Sequence, residues 1–115
     1  VLPRLVGAAL ARAMAMLAEP VPAETAKALG MIWEVVDDDK LQATVDAAAK
    51  KLAAAPTFAL GLAKRALAAS TGNTLAQQLE MERDFQKQAG ASPDAGEGVR
   101  AFVEKRAPRF SGKSA

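Results

Sequence analysis

The residues most able to do chemistry lie at the end of the chain, in "VRAFVEKRAPRFSGKSA", residues 99–115. Two aromatic rings, Phe102 and Phe110, stand among Arg100, Lys105, Arg106, Arg109 and Lys113, with Glu104 the only acid from residue 100 onward. Cations interleaved with aromatics suit a surface that packs against a partner and faces a negative charge. A phosphorylated ligand or a nucleic-acid backbone would supply that charge. The plain alternative is a solvated helix end, where cations favour the helix dipole by about 0.3–1 kcal/mol each.

Other chemistries are thinner. Three consecutive carboxylates, Asp37, Asp38 and Asp39, suit a hard metal ion in type, but neighbouring side chains diverge and the glycine and distal Glu of a calcium loop are missing. Helix capping is the better reading. Glu80 and Glu82 are two residues apart on a predicted helix and do not share a face. The chain has no Cys and no His. That removes thiol nucleophiles, disulfides, imidazole bases and most zinc sites, and leaves Ser and Thr without a histidine to activate them. No metal site is expected within these residues.

The elements that must position the basic end read as helices. Length 115 fits one domain, and half the residues are apolar, largely Ala, Leu and Val, with four Phe, one Trp and no Tyr. A net charge of +2 makes the whole chain no polycation, so nucleic acid is not the expected partner. No apolar run approaches the roughly 20 residues of a membrane span.

Six helices are expected. The first runs through "RLVGAALARAMAMLAE" behind Pro3, and the second is the short "PAETAKALG", ending at Gly30. Then come 40–54, a helix from Pro56 to near Gly72, one opened by a Thr74–Gln77 capping box and ended by Gly90, and one starting at Ser92–Pro93–Asp94. The one β-like stretch is "MIWEVV", 31–36. It needs a partner strand or burial in an irregular turn, and no partner strand is visible. The fold class is all-α with one short extended segment.

The motif "FVEKRAPRFSGK" resembles the C-terminal signature of the crotonase (enoyl-CoA hydratase/isomerase) superfamily, a Phe-x-x-Lys-Arg helix followed by Pro-x-Phe. The stretch "LPRLVG…AMAMLAEPVPAETAKALGMIWEVVDDDKL" is similar to the family's segment after the catalytic loop. "GMIWEVVDD" and "NTL…Q-LE-ERD-Q" most resemble the phenylacetate-pathway branch, the 2-(1,2-epoxy-1,2-dihydrophenyl)acetyl-CoA isomerases.

The resemblance covers essentially all 115 residues. It implies a C-terminal helical region of a longer acyl-CoA hydratase/isomerase whose N-terminal ββα spiral lies outside these residues. Residues 1–36 would end the spiral-to-helical region and 37–115 would form the trimerisation helices. The implied reaction holds a thioester enolate in an oxyanion hole of two backbone N–H groups. Both the hole and the catalytic acid would sit upstream of Leu2, so the chain alone is expected to be inactive.

Residue by residue, Lys105 matches the lysine that reaches the coenzyme A phosphates and adenosine, and Phe102 the aromatic packed beside it. The resemblance further implies a cytoplasmic homo-oligomer, a trimer or dimer of trimers, that acts on an acyl-CoA. It implies no separate cofactor, coenzyme A being part of the substrate. Trp33 and Leu5 border the acyl pocket or pack in the core. Ala18 stands where the family has Gly before Glu-Pro, Arg12 takes an apolar slot, and Gly96 weakens its helix. A self-contained helical interaction module, or a weak nucleic-acid binder, is the alternative from a different class.

Overall fold

The computed structural model describes residues 1–114. They divide into two units, Val1–Thr44 and Val45–Ala115, with the division inside one helix.

In the first unit, α1 (Leu2–Val6) starts with Pro3 in its first turn and packs against α2 (Ala8–Leu17). The sequence pattern predicts one helix here, and the structure makes two. Gly7 at φ 81°, ψ 161° interrupts it, a conformation open to glycine and strained for other residues. Helix α2 ends on Ala18 in the left-handed region, φ 53°, whose N–H reaches the Met14 carbonyl.

Helix α3 (Ala23–Ala28) closes with a Schellman turn. Gly30 N–H donates to Lys27 O and Met31 N–H to Ala26 O, with Gly30 at φ 71°. Ala11 and Ala26 are the buried apolar residues of this unit.

Residues 31–37 form bends and irregular chain, and no strand occurs among the described residues. The β-branched run has no partner ladder and is irregular, but it is not buried as expected, with Ile32 43% and Trp33 81% exposed. Glu34 stabilises it locally by accepting from the Val35 N–H at 3.1 Å and pairing with Lys27. A 3-10 turn, Asp38–Lys40, leads into α4 (Leu41–Ala53). The three aspartates place negative charge at this start, but Asp37 makes no side-chain cap bond. Its carboxylate instead accepts from Lys40 Nζ at 2.5 Å.

The second unit is built on α5 (Thr57–Ser70) and α6 (Leu75–Ala91), joined by a short loop and packed on each other, with α7 (Pro93–Val103) against α6. The expected capping box opens α6. Thr74 Oγ1 accepts from the Gln77 N–H at 3.3 Å, and Gln77 Oε1 accepts from the Thr74 N–H at 2.9 Å. Helix α6 continues past Gly90 to Ala91, because Ser92–Pro93, rather than the glycine, stops it.

Leu62, 2% exposed, anchors the α5–α6 seam, and the Arg65 guanidinium sits 5.1 Å over the Phe85 ring. Gln78 Nε2 crosses the seam to the Ala66 carbonyl at 3.2 Å. Much apolar surface stays uncovered, including Leu41, Val45 and Leu52 along one face of α4, and Leu67 on α5. No described helix is long and apolar enough to cross a membrane.

Candidate coenzyme A contact at the end of α7

Helix α7 begins at Pro93 and buries Ala101 to 2% exposure. Its end is a second Schellman turn. Lys105 N–H donates to Phe102 O at 3.2 Å, and Arg106 N–H to Ala101 O at 3.0 Å. The left-handed position of this turn is Lys105, φ 53°, where the turn after α3 has Gly30. A side chain in that region costs about 1–2 kcal/mol. Strain of this kind persists only where the surroundings over-determine it, and it concentrates at functional sites.

Beyond the turn, the chain is tied back to α7 by two carboxylates three residues apart. Asp94, 4% exposed, accepts the Ser111 N–H on Oδ1 at 2.6 Å, the Ser111 hydroxyl at 2.9 Å and the Gly112 N–H on Oδ2 at 2.8 Å. Glu97, with a side chain 13% exposed, takes a two-pronged bond from Arg106: Nη1 to Oε1 at 2.6 Å and Nη2 to Oε2 at 3.1 Å. Glu97 Oε1 also accepts the Arg109 N–H at 2.9 Å. The Arg106 guanidinium and the Arg109 N–H hold the Glu97 carboxyl down from its ordinary value to about 2, against some opposing burial. The Ser111 N–H is foremost in pulling the Asp94 carboxyl below its ordinary value, again against burial.

Gly112 is required here twice over. Its φ is 71°, and a Cβ at this position would collide with the Thr57 hydroxyl.

This network sorts the five cations, which the sequence could not do. Arg106 is paired with Glu97 and with Glu104, whose Oε2 lies 2.6 Å from Nε, and Arg100 reaches Glu97 at 3.5 Å. Lys105, Arg109 and Lys113 have no ion pair among the described residues.

The two aromatics differ in their packing within this chain. Phe102 is 85% exposed and packs in no interface among the described residues, because the turn leaves it outside. Phe110 is the ring that folds back, with Cε1 3.8 Å from where a Cβ on Gly98 would stand. Trp33 is 81% exposed and Leu5 about half exposed, so neither packs in a core here. No group of three or more Asp and Glu side chains comes together as metal ligands among the described residues.

Residues 1–113 match the family model described as enoyl-CoA hydratase/isomerase. The chain belongs to the enoyl-CoA hydratase/isomerase family. It is 50% identical over 112 residues to 1,2-epoxyphenylacetyl-CoA isomerase of Escherichia coli K12, covering 97% of this chain and 43% of that one. It is 44% identical to the probable enoyl-CoA hydratase of Rhodobacter capsulatus, covering 97% of this chain and 44% of the relative. In three dimensions it matches the enoyl-CoA hydratase of Bacillus anthracis with a TM-score of 0.91 at 31% identity, over 97% of this chain and 43% of that one. The chain thus spans less than half the length of the family members it matches. Its all-helical structure is a helical portion of the family fold.

Proposed function

We propose that this chain is the helical portion of an acyl-CoA hydratase/isomerase, and that Lys105 and Phe102 contribute to its coenzyme A site. The observation that carries this reading is the left-handed Lys105, displayed at the end of α7 with no ion pair among the described residues while its neighbour Arg106 is neutralised. An ammonium held so is available to a phosphate, and the exposed Phe102 ring three residues earlier offers an apolar face beside it. The similarity to an epoxyphenylacetyl-CoA isomerase supports a thioester substrate, with phenylacetate-type acyl groups first among candidates.

The chemistry falls to groups supplied elsewhere in the longer protein. A thioester enolate there would be stabilised by backbone N–H donors, the kind of stabilisation that dominates such reactions. The part played by this chain is to hold the remote end of the substrate. Such binding is equal in ground and transition states and lowers KM without raising kcat. The uncovered faces of α4 and α5 support assembly into a homo-oligomer, trimer or dimer of trimers.

The test is Lys105→Ala in the full-length protein, assayed with two different acyl-CoAs at low salt. KM is expected to rise about fivefold for both, with kcat unchanged, and the effect to shrink as salt is added. An unchanged KM for both substrates overturns the reading.

A further inference from the structure

We infer that Glu97 is the positioning residue for Lys105, an inference that rests on the reading of Lys105 given above. A lysine in the left-handed region is not stable there by its own preference. Something on its C-terminal side must hold the turn, and the helix must supply the anchor. Glu97 does both, because its carboxylate stands on α7 and grips Arg106 through both Nη atoms and Arg109 through its N–H. Lys105 is therefore bracketed between the end of the helix and a segment fastened back to that helix.

The same grip has an electrostatic effect. With Glu104 on Nε, Glu97 leaves Arg106 paired along its whole guanidinium edge, so the cation presented at the turn is Lys105. An unpaired Arg106 beside it would compete for an incoming phosphate and draw it off the lysine. Glu97 touches no substrate atom in this scheme and acts entirely through the turn.

A double-mutant cycle on the full-length protein tests this, using Glu97→Gln, Lys105→Ala and the pair, with KM and kcat measured on one acyl-CoA. Glu97→Gln is expected to raise KM about threefold to tenfold with kcat unchanged, and to add nothing further in the Lys105→Ala background. A merely structural ion pair predicts otherwise: kcat falls together with kcat/KM, or KM rises equally in both backgrounds. Either result overturns the inference. If Lys105→Ala raises KM while Glu97→Gln is silent, positioning fails and the lysine contact stands. If Lys105→Ala is itself silent, the underlying reading fails. Should Glu97→Gln not fold, Arg106→Gln breaks the same pair from the other side, and the same non-additivity with Lys105→Ala is required of it.

Discussion

Asp94 holds Ser111 by two bonds across seventeen residues of sequence, taking both its backbone N–H and its hydroxyl on one carboxylate oxygen, at 2.6 and 2.9 Å. The second oxygen takes Gly112. A tail that reads as polar and solvated is thereby stitched to the first turn of α7. Gly112→Ala is expected to unstitch it, since the added methyl meets both the positive φ and the Thr57 hydroxyl. Hydrogen exchange at the Ser111 and Gly112 amides is the measurement. Protection in the native protein should be lost in the variant, and retained protection would contradict the contact.

The stitch is also sensitive to acid. The Glu97 carboxyl is held down to about 2 in the fold, whereas an unfolded Glu takes up its proton near pH 4.3. A depressed carboxylate stabilises the fold fully above the unfolded value, and the contribution fades as pH falls through the folded one. Stability should therefore decline from about pH 5 toward pH 2, with Asp94 acting in the same direction. Urea midpoints across that range should fall, and Glu97→Gln should flatten part of the decline. An equal slope in wild type and variant would contradict this assignment.

The two rings at this end make an opposed pair. Phe110→Ala should destabilise by about 1–2 kcal/mol, below a full core truncation because the ring is half-buried. Phe102→Ala, at a ring 85% exposed, should leave the melting temperature of the isolated chain almost unchanged. Thermal unfolding of both variants checks this, and the reverse order would show that Phe102 is the packed ring.

What the sequence made legible was local. The Thr74–Gln77 box and the Gly30 stop are written in residues that touch their own neighbours, and both form. Gly7 breaks a helix that the spacing of Leu5, Leu10 and Met14 continues, because that spacing says nothing of one backbone angle. The β-branched run at 31–36 has strand propensity, but propensity cannot supply a missing ladder. The Asp94–Ser111 stitch and the choice of Phe110 over Phe102 depend on the chain reversing after Lys105. No periodicity encodes that reversal.

Ala18 offers a simple gain. It occupies the left-handed cap of α2 at φ 53°, a place glycine takes without strain. Ala18→Gly should stabilise by about 0.5–1 kcal/mol after the extra unfolded-state freedom of glycine is counted. The converse, Gly30→Ala, meets no neighbour within 4 Å and should cost a similar amount through its φ alone. Paired melting curves check both signs.

Self-association is expected from the uncovered surface. Leu52, Leu60 and Leu67 line an open groove of about 620 Å³ between the end of α4 and α5, largely apolar apart from Lys64 and Thr57. The isolated chain is expected to sediment and scatter as a trimer or larger species. A clean monomer at micromolar concentrations would contradict it.

The backbone angle of Lys105 sets two selections against each other. In a library randomised at position 105, a screen for thermal survival should enrich glycine and asparagine, the residues at ease at φ 53°. A screen for capture on immobilised coenzyme A should return lysine, accepting the weaker fold. The divergence between the two winners would measure how much conformational comfort this turn gives up to present a charge.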